Sequence, residues 1–164
     1  MVSAGKEIRL IPTAKSLLAI VFGLLLSGAA QACEIPKGKA QAEAELIRFT
    51  NAQRKDRPKV TASPALSAAA QKHACYMART RKMSHTGAGR SDVGERATQE
   101  GYVWRSVAEN VAKGYKTPVS VGTGWMGSRG HRRNMLLPRL TEIGIGWAKA
   151  NGVDYWVMVL GAPR

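Results

Sequence analysis

The chain contains few acids, few histidines and few cysteines, and each shortage limits what the protein can do. Its 164 residues include 11 aspartates and glutamates against 25 lysines and arginines, which gives a formal net charge of +14. Such a charge favours anionic partners such as lipid head groups, acidic cell-surface polymers or nucleic acid, and by itself does not choose among them. The two cysteines, Cys33 and Cys75, are too few for a zinc site built from cysteine alone.

The sequence also lacks an apolar run long enough to cross a membrane. The run at Leu17–Leu26 is 10 residues long, whereas a spanning helix needs roughly 20. It follows a positively charged leader and precedes Ala30-Gln31-Ala32, which places small residues at the −3 and −1 positions of a cleavage site. This combination predicts a secretory signal peptide over residues 1–32 and therefore an exported protein, periplasmic or extracellular.

Cleavage after Ala32 would leave 132 residues with a charge of +12, because three bases and one acid lie in the leader. That length is typical of one domain with one core. An exported protein meets envelope polymers and lipids before it meets genomes, so nucleic acid is the least favoured anionic partner. A lipid anchor at Cys33 is a less favoured alternative, because Ala30 stands where lipoprotein signals carry a bulky aliphatic residue.

Past the leader, the apolar pattern predicts helices first and strands last. Helices are predicted at residues 40–54, 64–82 and 117–129, with a short one from Asp92 to Ala97 inside the loop-rich stretch 84–101. Alternating strands are predicted at residues 142–150 and 153–161, joined by the turn dipeptide Asn151-Gly152. This order indicates an α+β domain in which helices cover an antiparallel sheet.

The helix predicted at residues 64–82 also indicates a disulfide. Its 3.6-residue period places one stripe on the packing face, formed by Leu66, Ala70, His73 and Met77. Cys75 lies on the opposite face, where the N-terminal segment could reach it. Because cysteine pairs of exported proteins are more often bridged than free, we predict a Cys33–Cys75 disulfide.

Few side chains are candidates for chemistry. His73 lies on the apolar stripe, so we interpret it as a packed histidine bonded to a neighbour. His85 lies in a Gly/Ser/Thr-rich loop and His131 follows a glycine at the boundary of an element, and loops present side chains to ligands. Glu95 lies in VGERA, and Glu109 lies in AENVA before an apolar pair, which suggests burial. A buried carboxylate needs a partner, and a histidine is the natural one.

These motifs together resemble a known family. AQKHACYMA, MSHTG, GERA, AENVAKG, GWMGSRGHRRNML and EIGIGWA are similar to bacterial members of the CAP superfamily (cysteine-rich secretory, antigen 5 and pathogenesis-related proteins), also called the SCP domain. The resemblance covers about residues 42–161. It implies an α-β-α sandwich with a small antiparallel sheet flanked by helices, in a single domain at residues 33–164 with its core at about 40–161.

The resemblance also implies a central cleft with two histidines and two acids. Three of them carry over to His85 in SHT, Glu109 in AEN and His131 in GHRRN. Glu95 is the expected fourth, and Glu100 is the alternative, because the loop before Glu109 varies in length across the family.

Two departures from the common pattern concern this cleft. Ala108 stands where glycine often precedes the glutamate, and Arg133 stands where a small residue is common before Asn134. Arg132, Arg133 and Asn134 are expected at the cleft rim, so the second departure would favour anionic ligands.

Two chemical roles fit the cleft residues. Neutral imidazoles at His85 and His131 could bind Zn²⁺ or another divalent cation, with Glu95 and Glu109 orienting them or acting as base on a bound water. Alternatively, the histidines and glutamates form a polar network that braces the fold. No organic cofactor is expected.

Three functions remain open at this point. The favoured one is an exported binding module, with no requirement for turnover, whose cleft takes an anionic or lipid-like ligand; the resemblance implies lipid or sterol binding. The alternatives are a metal-dependent hydrolase or peptidase with Glu109 or Glu95 as general base, and an envelope-structural protein that binds anionic polymers by surface charge. We expect a monomer without a transmembrane span in the mature chain.

Overall fold

The computed structural model describes Met1 and residues 33–164, so the predicted signal peptide, apart from Met1, lies outside the described residues. The described chain forms α1 (Lys39–Gln53), β1 (Thr61–Ala62), α2 (Pro64–Thr80), α3 (Val93–Gln99), β2 (Trp104–Lys113), α4 (Pro118–Gly127), α5 (Arg129–Leu136), β3 (Glu142–Ala150) and β4 (Val153–Pro163). In this part of the chain, no helix is long and apolar enough to span a bilayer.

Most predicted elements are confirmed to within a few residues. Pro64 begins α2 at the first helical position after Ser63, as its fixed φ favours. Asn151 and Gly152 both have positive φ, 49° and 73°, which makes the β3–β4 connection the tight turn that this dipeptide prefers. The helix predicted at residues 117–129 is confirmed at Pro118–Gly127. A separate helix, α5, which contains His131, begins after Ser128 and was not predicted.

The four strands form one mixed sheet in the order β1-β3-β4-β2. The β2–β4 and β3–β4 pairs are antiparallel, whereas the two-residue β1 pairs with β3 in parallel. The antiparallel sheet is thus confirmed, with β1 as an addition. β2 was not predicted as a strand, because Arg105, Ser106, Glu109 and Asn110 interrupt its apolar alternation.

Helices cover both faces of the sheet, which confirms the predicted α+β sandwich. Along β4, one set of alternate residues packs in the core with α1 and α4, namely Trp156, Met158 and Leu160. The other set packs in the core with α2, namely Tyr155, Val157 and Val159. The predicted α2 stripe is buried at all four positions, Leu66, Ala70, His73 and Met77.

The N-terminal segment is attached to the outside of this sandwich. The predicted disulfide is confirmed, with the Cα atoms of Cys33 and Cys75 5.1 Å apart. The backbone N–H of Lys149 donates to the carbonyl of Glu34 at 2.8 Å. The residues that follow Cys33 are therefore held against α2 and the end of β3.

Arg54, which follows α1, is fully buried at 0 % exposure. Its guanidinium donates to four backbone carbonyls: those of Pro58 at 2.6 Å, Met135 at 2.7 Å, Leu140 at 2.9 Å and Leu137 at 3.3 Å. Met135 lies in the last turn of α5, and Leu137 and Leu140 lie between α5 and β3. Arg54 thus connects the end of α1 to the end of α5 and to the chain that follows it.

Two glycines set the distance between α2 and the sheet. Gly144 and Gly146 of β3 lie directly against the backbone of α2, and a Cβ atom at Gly144 would overlap backbone atoms of Leu66 and Ser67. Backbone atoms cannot move aside as a side chain can. The close approach therefore depends on glycine.

We expect Gly144→Ala to lower the free energy of unfolding by about 1–3 kcal/mol, because overpacking against a rigid backbone shifts the helix. Gly130→Ala in α5 is a matched control, because its added Cβ has no neighbour within 4 Å apart from the adjacent residues and the helix's own backbone. Since alanine favours helix over glycine by up to about 1 kcal/mol, the control should be neutral or stabilising. Chemical denaturation of both variants measures the difference, and equal midpoints would contradict the prediction.

Candidate functional site

A cleft of about 440 Å³ opens between the edge strand β2, helix α5 and the loop after α2. It brings together His85, Glu109 and His131, three of the four predicted residues. Arg133 and Asn134 also line it, together with Arg139, whereas Arg132 does not. Apolar and hydroxyl side chains complete the wall, namely Val107, Leu137, Ser106 and Ser128. The cleft thus combines basic, polar and apolar surface.

Glu109 is the buried centre of the site, with a side chain that is 2 % exposed. Its Oε1 lies 2.9 Å from Nδ1 of His85, and its Oε2 accepts from Nη2 of Arg96 at 2.6 Å. Both carboxylate oxygens are therefore engaged by basic groups. A carboxylate buried in this way is stable because a guanidinium neutralises it.

Arg96 is a site residue that the sequence analysis missed. Its side chain is 7 % exposed, and it also donates to the carbonyls of Ser91 at 2.6 Å and His85 at 3.2 Å. One guanidinium therefore holds Glu109 and the backbone of the histidine loop together. The signal for it was present in GERA, where an arginine stands beside the glutamate that was chosen.

Glu95, the predicted fourth residue, does not line the cleft. Its Oε2 accepts from the backbone N–H of Asp92 at 2.9 Å while its own N–H donates to Asp92 at 2.8 Å, which is a capping box at the start of α3. It lines a neighbouring depression that shares only Ser106 and Val107 with the cleft. The structure does not bring Glu95 to the two histidines, and a role in ligand binding stays a prediction.

The alternative acid, Glu100, also lies elsewhere. Its carboxylate pairs with Lys72 at 2.5 Å and lines a cavity between α2 and α3. Neither of the two candidates for the fourth residue therefore reaches the cleft, where the second charged partner of Glu109 is Arg96.

Two asparagines join α5 to β2. Asn134 donates to the carbonyl of Glu109 at 3.2 Å and to Oδ1 of Asn110 at 2.9 Å. Asn110, which is fully buried, donates in turn to the carbonyl of His131 at 3.1 Å. These bonds hold α5, and with it the backbone of His131, against β2. Asn110 was missed, although its place next to Glu109 in AEN is a usable signal.

The three histidines have different titration behaviour. The hydrogen bond that Nδ1 of His85 donates to the Glu109 carboxylate raises the pKa of His85 above its ordinary value, so that this ring is the most readily protonated. Burial lowers the pKa of His131, and the nearby His85 lowers it further. Burial also lowers the pKa of His73, whose Nε2 donates to the carbonyl of Ser84 at 2.8 Å. This confirms the interpretation of His73 as a packed histidine bonded to a neighbour.

The donor set for a metal ion is small. Within residues 33–164, no three His, Cys, Asp or Glu side chains form a cluster that could hold one. His85 uses Nδ1 on Glu109, which leaves its Nε2 and the ring of His131 as donors. Two imidazoles fit a site in which water or ligand supplies the remaining positions, whereas protein zinc sites have three or four protein ligands.

The fold has helices on both faces of a small sheet, and the site has His85, Glu109 and His131 near its edge strand. Together they define a sandwich domain of the CAP or SCP type. The chain belongs to the cysteine-rich secretory protein (CAP) family, whose family model matches residues 39–160. This confirms the family that the motifs resembled.

A curated relative and two solved structures are similar to this chain. It is 43% identical over 53 residues to the uncharacterized protein YkwD of Bacillus subtilis (strain 168), a match that spans 32% of this chain and 21% of that protein. An SCP-domain structure from an extracellular protein of Bacillus anthracis str. Ames has a TM-score of 0.69 at 20% identity, covering 78% of this chain and 44% of that one. An outer surface protein from Borrelia burgdorferi has a TM-score of 0.72 at 18% identity, covering 81% of this chain and 99% of that one. The matches to the two Bacillus proteins thus span less than half the length of each.

Proposed function

We propose that the protein is an exported binding module, periplasmic or extracellular, whose cleft takes the anionic head of an amphipathic, lipid-like ligand. The observation that carries this proposal is the engagement of both Glu109 oxygens by His85 and Arg96. The one acid of the cleft is thereby neutralised from within the protein. The basic groups that remain at the cleft surface have no carboxylate there to pair with.

The cleft surface has the groups that such a ligand needs. Arg133 and Arg139 supply positive charge, and arginine binds phosphate and carboxylate through paired donors. Val107 and Leu137 supply an apolar wall for an alkyl chain. The volume of about 440 Å³ lies within the range of small-molecule sites, about 300–1,000 Å³.

The export setting agrees with the comparisons. The Bacillus anthracis relative is described as extracellular and the Borrelia burgdorferi relative as an outer surface protein. Lipids and anionic polymers are the ligands that such a setting offers to a domain of charge +12. A divalent ion such as Zn²⁺, bound through His85 and His131, would add positive charge to the same cleft.

The hydrolase alternative receives less support from the geometry. A general base must be able to reach a water molecule, and the Glu109 side chain is 2 % exposed with both oxygens bonded. Glu95 is exposed, but it lies outside the cleft. A general base would require Glu109 or Glu95 to change position, whereas the binding function does not.

Calorimetric titration with monododecyl phosphate, below its micelle concentration, tests the proposal. We expect the Arg133→Ala/Arg139→Ala double variant to bind at least tenfold more weakly, because each charged hydrogen bond contributes about 1.5–3 kcal/mol. Dodecyl maltoside, which has the same alkyl chain and no charge, should bind much more weakly than the phosphate. Titrations with added Zn²⁺ and with chelator measure the contribution of a metal.

Arg132→Ala is the matched control, since Arg132 neighbours Arg133 but is exposed and does not line the cleft. It should bind the phosphate as the parent does. If Arg132→Ala weakens binding as much as the double variant, the surface-charge alternative is favoured and the cleft proposal is wrong.

A further inference from the structure

A second cavity, of about 450 Å³, lies between α2 and α3 and is separate from the cleft. We call it the α2–α3 groove; its walls come from α2 between Ala69 and Arg79 and from α3 between Arg96 and Glu100, with Ile35 at its edge. Its volume is that of a small-molecule site. The proposed function leaves this cavity without a role.

The inner wall of the α2–α3 groove contains two buried polar side chains. These are His73 and Arg96, which are 0 % and 7 % exposed. Since the carbonyl of Ser84 can only accept, Nε2 of His73 is the donor of that bond and carries the hydrogen. Nδ1 of the neutral ring is then an acceptor, and it has no hydrogen-bond partner among the described residues. An unpaired buried acceptor is costly, and a ligand with an N–H or O–H group would satisfy it.

The remaining groove residues combine an aromatic surface with positive charge. Tyr76 is half-buried and stacks on the His73 ring, with centroids 6.1 Å apart and planes 15° apart. Lys72 is paired with Glu100, whereas Arg79 is exposed and has no carboxylate partner within residues 33–164. A flat apolar ligand with one negative charge complements this surface.

The disulfide gives the groove its outer edge. Ile35, although apolar, is 52 % exposed, and the Cys33–Cys75 bridge and the Glu34–Lys149 hydrogen bond hold its segment in place. Cys75 itself lines the groove. The bridge therefore places an exposed apolar side chain beside the aromatic and cationic surface.

We propose that the α2–α3 groove binds a small aromatic acid, with its ring system against Ile35 and Tyr76, its anionic group on Arg79 and a donor group toward His73. This is a second site, which shares no lining residue with the cleft and takes a different ligand. Its ligand is distinguished from that of the cleft by a flat ring system in place of an alkyl chain.

Fluorescence titration of the purified protein with anilinonaphthalene sulfonate tests the groove, because this dye has a flat aromatic body, one sulfonate and one N–H. We expect saturable binding of one dye. Ile35→Asp and Arg79→Glu should each weaken it by about tenfold or more, since each places a negative charge against the anion. Both side chains are exposed in the parent, so the fold should tolerate both changes.

Two substitutions of the same kind elsewhere serve as controls. Val119→Asp changes an apolar side chain that is 46 % exposed, and Arg132→Glu changes an exposed arginine outside both cavities. Both should bind the dye as the parent does. Dye binding that does not saturate, that is equal in all four variants, or that falls equally with Arg139→Ala in the cleft would overturn the proposal.

Discussion

Arg54→Ala is expected to destabilise the protein by about 3–5 kcal/mol, the largest effect that we expect from a single substitution. The side chain is 0 % exposed and donates to four backbone carbonyls. Its removal leaves these acceptors buried without partners and opens a cavity the size of a large side chain, and each of these consequences is destabilising. Because a domain is stable by about 5–15 kcal/mol, the variant would lose a large share of its stability.

No substitution restores this arrangement well. The planar guanidinium donates in several directions at once, whereas lysine has a single ammonium at the end of its stem. Arg54→Lys is therefore expected to recover only part of the loss. The carbonyls belong to Pro58, to Met135 at the end of α5 and to the chain after α5, so the loss weakens the connection between α1 and this part of the chain.

Thermal unfolding measures the effect, and we expect the midpoint of Arg54→Ala to fall by more than about 10 °C. Arg57→Ala is the matched control, because Arg57 is a neighbouring arginine on the surface. The control should stay within about 0.5 kcal/mol of the parent. A midpoint for Arg54→Ala within about 2–3 °C of the parent, equivalent to 1 kcal/mol or less, would contradict the prediction.

Glu109→Gln is expected to have the second-largest effect, a loss of about 3 kcal/mol of stability. The substitution keeps the shape of the side chain but leaves Arg96, 7 % exposed, without its counter-charge. Removing one partner of a buried ion pair costs about 3–5 kcal/mol. We place the loss at the lower end because the amide oxygen still accepts from one donor.

The same variant changes the titration of His85. The bond to Glu109 raises the pKa of His85 in the folded parent. Protonation of His85 therefore stabilises the fold, fully so below its pKa in the unfolded chain, which is about 6.5. This contribution is lost as the pH rises through the pKa of His85 in the folded protein. In Glu109→Gln the pKa should fall to or below its ordinary value. Because the His85 side chain is 62 % exposed, solvent screening keeps the stability contribution small.

Two measurements on Glu109→Gln test these expectations. Denaturant titration gives the loss of stability, which should increase as the pH falls from about 8 to about 6. NMR titration of the imidazoles gives the pKa of His85 in both proteins. Glu95→Gln is the control, because glutamine also fits a capping box; it should leave the stability and the His85 titration unchanged. An unaltered His85 titration in Glu109→Gln would show that this bond does not set the pKa.

Elements with a local signal could be predicted from the sequence. The stripe of α2 follows from helical period, and the β3–β4 hairpin follows from alternation around Asn151-Gly152. His85 and His131 could be chosen as candidates because the chain has few histidines and their motifs are distinctive, and both line the cleft. The disulfide followed from having two cysteines and from the helix face that Cys75 occupies.

Only the tertiary structure decided how the buried charged residues are paired, because their partners are distant in sequence. Arg54 resembles any surface arginine, since two of its acceptors, Met135 and Leu140, lie 81 and 86 residues away. Arg96 and Glu109 are 13 residues apart and meet only because α3 packs beside β2. Glu95, by contrast, uses its side chain in a local capping box with Asp92, three residues away. Periodicity and caps act over three to four residues and are readable in sequence, whereas the pairing of buried charges depends on which elements pack together.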